Sequence, residues 1–146
     1  MNDKETLFRQ KADKYLCCFN SHCPRHDQCL RYETGQYYDP HRHTANTISP
    51  LYDKAADGSC EYFRDNQPVL MPVGMKQRFY YDMPSHIERR VKNTLISHYG
   101  RTLYYRYHGG SRPIPPEVQA TIENVCRQAG WTQPLRFDGE VETYLW

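Results

Sequence analysis

Four cysteines place the strongest limit on what this chain can fold into. Cys18, Cys23, Cys29 and Cys60 follow the spacing C-x4-C-x5-C-x30-C, in loop-rich polar sequence. The usual material for a core is scarce. Leu, Ile, Val and Phe together make up 25 of 146 residues, a share at which a highly charged chain stays disordered. Here the net charge is only +2, and thirteen Tyr supply apolar area with a polar tip. The chain is therefore expected to fold, with a metal staple standing in for missing core in its first half.

Four thiolates suit either Zn²⁺ or an iron–sulfur cluster, since both accept tetrahedral sulfur ligation. The spacing lacks the C-x2-C knuckles of zinc ribbons and differs from the plant-type ferredoxin pattern. Cys17 can stand in for Cys18, and His22 or His26 can replace one cysteine, which favours zinc. A single ion requires the four sulfurs within about 4 Å of one another. Without that convergence the cysteines are small buried hydrophobes. Cys126 falls on the apolar face of a helix and is expected to be core.

The pattern changes near Met71. Residues 1–71 form a Cys-rich, loop-rich subregion, with a short helix over Asp27–Thr34 and a strand at Thr47-Ile48. Residues 72–146 read as helix, strand, helix and hairpin, and the whole is expected to be one compact α+β domain. Ser85 and Glu88 match a capping box, Ile87, Val91 and Leu95 share a face, and Gly100 supplies a left-handed stop. Pro115-Pro116-Glu117 starts the second helix, whose apolar face carries Val118, Ile122, Val125, Cys126 and Ala129. Between them Thr102–Tyr107 predicts a strand bounded by Gly109-Gly110. Leu135–Phe137 and Val141–Leu145 predict a hairpin around Asp138-Gly139.

The small net charge conceals an asymmetry. From Met75 to Arg112 eight basic residues face only Asp82 and Glu88, a local charge of +6, and the remainder carries −4. Seven of the aromatic residues lie in the same segment. Cations for phosphates interleaved with rings for bases predict a surface for RNA or single-stranded DNA. Arg89, Arg90, Lys92, Arg101, Tyr104 and Arg106 are the expected contacts, with Tyr104 and Arg106 on the outer face of the expected strand. A protein partner is the other occupant such a surface admits. Helix, strand and helix do not fit a helix-turn-helix.

No P-loop, nucleophile elbow, dinucleotide fingerprint or H-E-x-x-H motif is present. His41 and His43 flank an arginine in a loop-like stretch, and Asp53, Asp57, Glu61 and Asp65 show no pairing. No catalytic residue is assigned, and a binding protein is expected rather than an enzyme. The N-terminus has no apolar signal segment, and no stretch approaches 18 apolar residues. The expected setting is the cytoplasm, where six cysteines point to metal or redox chemistry rather than disulfides.

Cys18-Phe19-Asn20, Cys23-Pro24, Cys29-Leu30-Arg31, Cys60 with Tyr62-Phe63, Tyr104–Tyr107, Pro116 with Gln119, and Tyr144 to Trp146 resemble an uncharacterised family of small proteins of anaerobic gut bacteria. The resemblance covers nearly the whole chain. It implies that Cys18, not Cys17, belongs to the cysteine pattern and implies a bacterial cytoplasmic setting. It brings no activity, substrate or partner.

Overall fold

A computed structural model describes residues 3–53 and 58–146; Asp57 lies outside them. The elements are α1 (Asp3–Ala12), a 3₁₀ turn (His26–Gln28), α2 (Leu30–Gly35), β1 (Val69–Val73), α3 (Ser85–Tyr99), α4 (Arg101–Gly109), α5 (Pro116–Gln128) and β2 (Gly139–Thr143). Helices with one two-stranded antiparallel sheet make the described chain α+β. The chain divides into two compact units, Met1–Pro68 with Tyr144–Trp146, and Val69–Thr143.

In the first unit an aromatic cluster replaces an aliphatic core. Phe8 of α1, Leu30 of α2 and Tyr144 are buried, with Tyr15, Tyr37 and Trp146 packed around them. The Phe8 ring lies 4.9 Å from Tyr144 and 5.1 Å from Trp146, both edge-on, the arrangement ring quadrupoles favour. Lys4 ties α1 to α2 through Glu33 at 2.6 Å. The hydrogen bond to Glu33 outweighs desolvation and holds the Lys4 ammonium above its ordinary pKa. The expected helix over Asp27–Thr34 divides into the 3₁₀ turn and α2, because Cys29 is extended between them. Thr47 forms only an isolated parallel bridge to Cys17 rather than a strand.

The second unit has the helical core that the first lacks. Val91 and Leu95 of α3, Tyr104 and Tyr107 of α4, and Ile122 and Cys126 of α5 are all buried. The periodicity of α3 and α5 locates both helices correctly, but α3 is not closed by a capping box. Pro84 is its N-cap, no side chain caps it, and the Pro84 carbonyl accepts from Ile87 and Glu88 at 3.0 and 2.9 Å. Gly100 ends α3 at φ 80°, ψ 159°. That is outside the left-handed helical region and open in practice only to glycine. It also serves as the N-cap of the next helix.

That next helix corrects the expected strand at Thr102–Tyr107: Arg101–Gly109 is α4. Tyr and Thr raise β propensity, but Leu103 and Tyr107, and Tyr104 and His108, each sit four residues apart and face inward. The expected C-terminal hairpin is corrected too. β2 pairs with β1, Val69 opposite Thr143 and Val73 opposite Gly139. Asp138 makes no hairpin turn. Its carboxylate accepts backbone N–H bonds from Lys76, Gln77 and Arg78 at 2.9 to 3.0 Å. Burial opposes the charged carboxylate, but these amides and nearby His108 prevail and hold its pKa below the ordinary value. Gly74 permits this approach, since a Cβ there would meet Asp138 Oδ2 at 2.7 Å.

Candidate metal centre and basic surface

Three chain segments carry the four cysteines, and backbone bonds lock them together. Cys17 N–H donates to Asn46 O at 3.0 Å, Ile48 N–H donates to Cys17 O at 2.9 Å, and Cys18 N–H donates to Arg31 O at 3.1 Å. Leu30 N–H donates to Arg64 O at 2.6 Å, and Asn66 N–H donates to Gln28 O at 3.1 Å. Arg31 is the buried fastener. Its guanidinium donates to Leu16 O at 2.9 Å and to Tyr62 O at 2.6 Å, joining the segment before Cys18 to the segment after Cys60. Loops without a core gain a fixed shape this way.

Cys18, Cys23, Cys29 and Cys60 all line one cavity of about 540 Å³. Aromatic side chains, among them Phe19, Tyr32, Tyr52 and Phe63, form much of the wall, and no Asp or Glu is part of it among the described residues. Arg25 reaches this wall with its guanidinium carbon 3.5 Å from the centre of the Phe63 ring. His22 and His26 also line the cavity. The His26 Nδ1 lies 2.7 Å from the Cys23 carbonyl and donates to it, which leaves Nε2 as the nitrogen with a free lone pair.

All six cysteines are free thiols, and their burial sorts them into two kinds. Cys17 and Cys126 are 0% and 1% exposed. Burial pushes each of these thiols up to about 11, as expected of inert core residues. Cys17 Sγ donates to Tyr15 O at 3.4 Å and is not on the cavity wall. Cys18, Cys23 and Cys60 are half-buried, and only Cys29 of the four is buried. Among the described residues, no three His, Cys, Asp or Glu side chains are gathered where they could hold a metal ion. The convergence of sulfurs that a single bound ion requires is therefore not seen among the described residues.

The basic segment falls entirely in the second unit. Arg89, Arg90, Arg101 and Arg106 are exposed and Lys92 is half-buried. None of the five has an ion-pair partner among the described residues. Lys92 Nζ of α3 lies 5.8 Å from the Tyr105 ring of α4. Arg89 precedes Lys92 by three residues and Arg101 precedes Tyr105 by four, so each pair shares a helix face.

Tyr104 is the expected contact that the structure removes. It is 1% exposed, and its hydroxyl lies 3.0 Å from that of Tyr80. Burial pushes both phenols up. Tyr105 takes its place on the surface at 43% exposure. A strand puts residues 103, 105 and 107 on one face, whereas a helix sends 104 and 107 inward and 105 out. The exchange of neighbours therefore follows directly from the change of element. His108, stacked on Tyr104, has its pKa lowered by burial and then by Lys92 and Lys76.

A sequence profile described as Family of unknown function (DUF6078) matches residues 1–146. The chain belongs to that family. No curated protein and no solved structure matches it. The family brings no function with it, so any functional reading rests on the chain's own residues. No helix among the described residues is long and apolar enough to cross a membrane.

Proposed function

We propose that the chain is a metal-stapled binding protein, with a thiolate metal centre in the first unit and a nucleic-acid contact surface on the second. One observation carries the metal reading: Cys18, Cys23, Cys29 and Cys60, from three separate segments, line the same cavity. Sulfur donors favour a soft metal, either zinc or iron–sulfur. The reading of these four as plain core cysteines is weaker, since three are half-buried whereas Cys17 and Cys126 are fully buried. Elemental analysis after anaerobic purification tests the reading: stoichiometric metal, lost when Cys18 and Cys60 are both replaced by Ser, is the expected result. A metal-free folded chain that takes up neither zinc nor iron overturns it.

A separate observation favours the second surface. Arg89, Arg90, Lys92, Arg101 and Arg106 have no ion-pair partner among the described residues, and exposed Tyr105 of α4 lies beside Lys92 of α3. RNA or single-stranded DNA supplies phosphates for the cations and bases for the ring. Five phosphate contacts give a salt slope of about −3.5 in log–log terms on single strands. The double variant Arg89→Ala/Arg90→Ala reduces that slope by about 1.4 without unfolding the helices. Binding that ignores salt, or survives the double change, counts against this surface. Loss of a protein partner instead, with no affinity for nucleic acid at low salt, makes it a protein-interaction face.

A further inference from the structure

We infer that Lys76, Lys92, Tyr105 and His108 form a subsite for one nucleotide of a single strand, with the Tyr105 ring taking the base and the other three side chains the phosphate; the inference rests on the nucleic-acid reading above. The four residues come from three stretches of the second unit. Arg101, Tyr105 and His108 follow at i, i+4 and i+7 on α4, so the face that carries Arg101 and Tyr105 ends at His108. Lys92 of α3 lies 5.8 Å from the Tyr105 ring. Lys76 arrives on the segment after β1. There Met75 N–H donates to His108 O at 2.9 Å, and Asp138 holds the next three amides.

His108 marks this place as a binding site. Its half-buried ring touches rings alone. It stacks on Tyr104 at 5.6 Å, stands edge-on to Tyr105 at 5.8 Å and tilts against Tyr80 at 6.4 Å. Neither of its ring nitrogens has a hydrogen-bond partner among the described residues. The charged groups that act on it are Lys92 and Lys76, with Asp138 opposing them more weakly. Neither lysine has an ion-pair partner among the described residues. Unused imidazole nitrogens beside two such ammonium groups call for an anion, and the exposed tyrosine ring next to them calls for a flat apolar face. A nucleotide of a single strand brings both.

Binding at this subsite takes up a proton. In the free chain burial, then Lys92 and Lys76, hold His108 below the ordinary histidine pKa. A phosphate charge acts the other way. The proton comes from solvent as the strand binds, and the imidazolium donates to a phosphate oxygen. By linkage, affinity rises as pH falls through the pKa of the bound form, and levels off below that of the free form.

The test is calorimetry of the full chain with oligouridylate bearing a 5′-hydroxyl, in two buffers of different ionisation enthalpy, near the ordinary histidine pKa of about 6.5. Phosphodiesters do not titrate there, so any proton taken up belongs to the protein. Wild type is expected to take up a proton, and His108→Gln to lose that uptake and the rise of affinity at low pH. Tyr105→Leu lowers affinity about 5- to 150-fold at an unchanged salt slope. Lys76 adds a phosphate contact to the five above, so Lys76→Ala flattens the slope by about 0.7. If His108→Gln fails to fold, proton NMR of the imidazoles decides the matter. The signal whose resting pKa rises in Lys76→Ala is that of His108, and in wild type its pKa must rise when the strand is added. Polyglutamate, which offers charge without bases, is expected to bind more weakly, and equal affinity overturns the subsite. Binding that weakens with salt and in Arg89→Ala/Arg90→Ala, but without proton uptake at His108, overturns the subsite and leaves the surface standing. No affinity for oligouridylate at low salt overturns both.

Discussion

The two units solve the same shortage in different ways. The second gathers most of the buried aliphatic side chains, Val91, Leu95, Ile114, Val118 and Ile122, between α3, α4 and α5. Among its described residues the first buries only Leu30 and the small Ala12 as aliphatics and leans on Phe8, Tyr144 and Trp146. Its remaining sequence is fastened by backbone bonds, by Arg31 and, in the proposed reading, by a metal centre. A helical core built of contacts every three or four residues is stable in itself. Loops pinned at four sulfurs are only as stable as the group they hold.

The sharpest way to break this comparison is to remove the proposed metal. Chelation, or Cys29→Ser, is expected to abolish hydrogen-exchange protection across the first unit while leaving α3 and α5 protected. Uniform loss in both units shows that the division is not energetic. Leu95→Ala is the opposite probe, with an expected loss of about 2–5 kcal/mol in chemical denaturation, confined to the second unit.

Asp138 comes next. Asp138→Ala leaves three amides without their acceptor and is expected to destabilise the second unit by about 1.5–3 kcal/mol. Its pKa is lower in the folded chain than in the unfolded one. Its contribution is therefore complete above the unfolded value, about 3.9, and fades as pH falls through the folded value. Acid titration of wild type against Asp138→Asn should show that fading only in the wild type. The smallest effect is expected at Tyr15, whose buried hydroxyl has no hydrogen-bond partner among the described residues. Tyr15→Phe removes an unsatisfied polar group, so the melting temperature should stay level or rise by a degree or two, on the order of 0.5 kcal/mol or less.

Legibility in the sequence follows the same division. α3 and α5 are visible because aliphatic residues repeat with the helical period. α4 is hidden because its inward positions are Tyr, which favour strands when read alone. α1 is hidden because only Leu7, Phe8 and Ala12 interrupt a charged run, and its partner rings come from Tyr144 and Trp146. β1 contains Pro72, and its partner lies some seventy residues away, beyond the reach of local pattern. The cysteine spacing marks the four positions that line the cavity. It cannot reveal which segments bring them there, because that depends on Arg31 and on the backbone bonds made by Arg64 and Asn66. The choice between Tyr104 and Tyr105 turned on a single element and was lost with it.

The aromatic cluster of the first unit has a bearing on how the chain is made. Synthesis runs from the N-terminus, and domains fold as their residues emerge. The four cysteines that line the cavity all emerge early. Tyr144 and Trp146, which cover Phe8, emerge only after the whole second unit. During that interval the first unit has its four thiols but not its cover, and Phe8 is open to solvent. The nascent chain is then at its most exposed both to oxidation and to association with other chains, and early binding of the proposed metal would shorten that window.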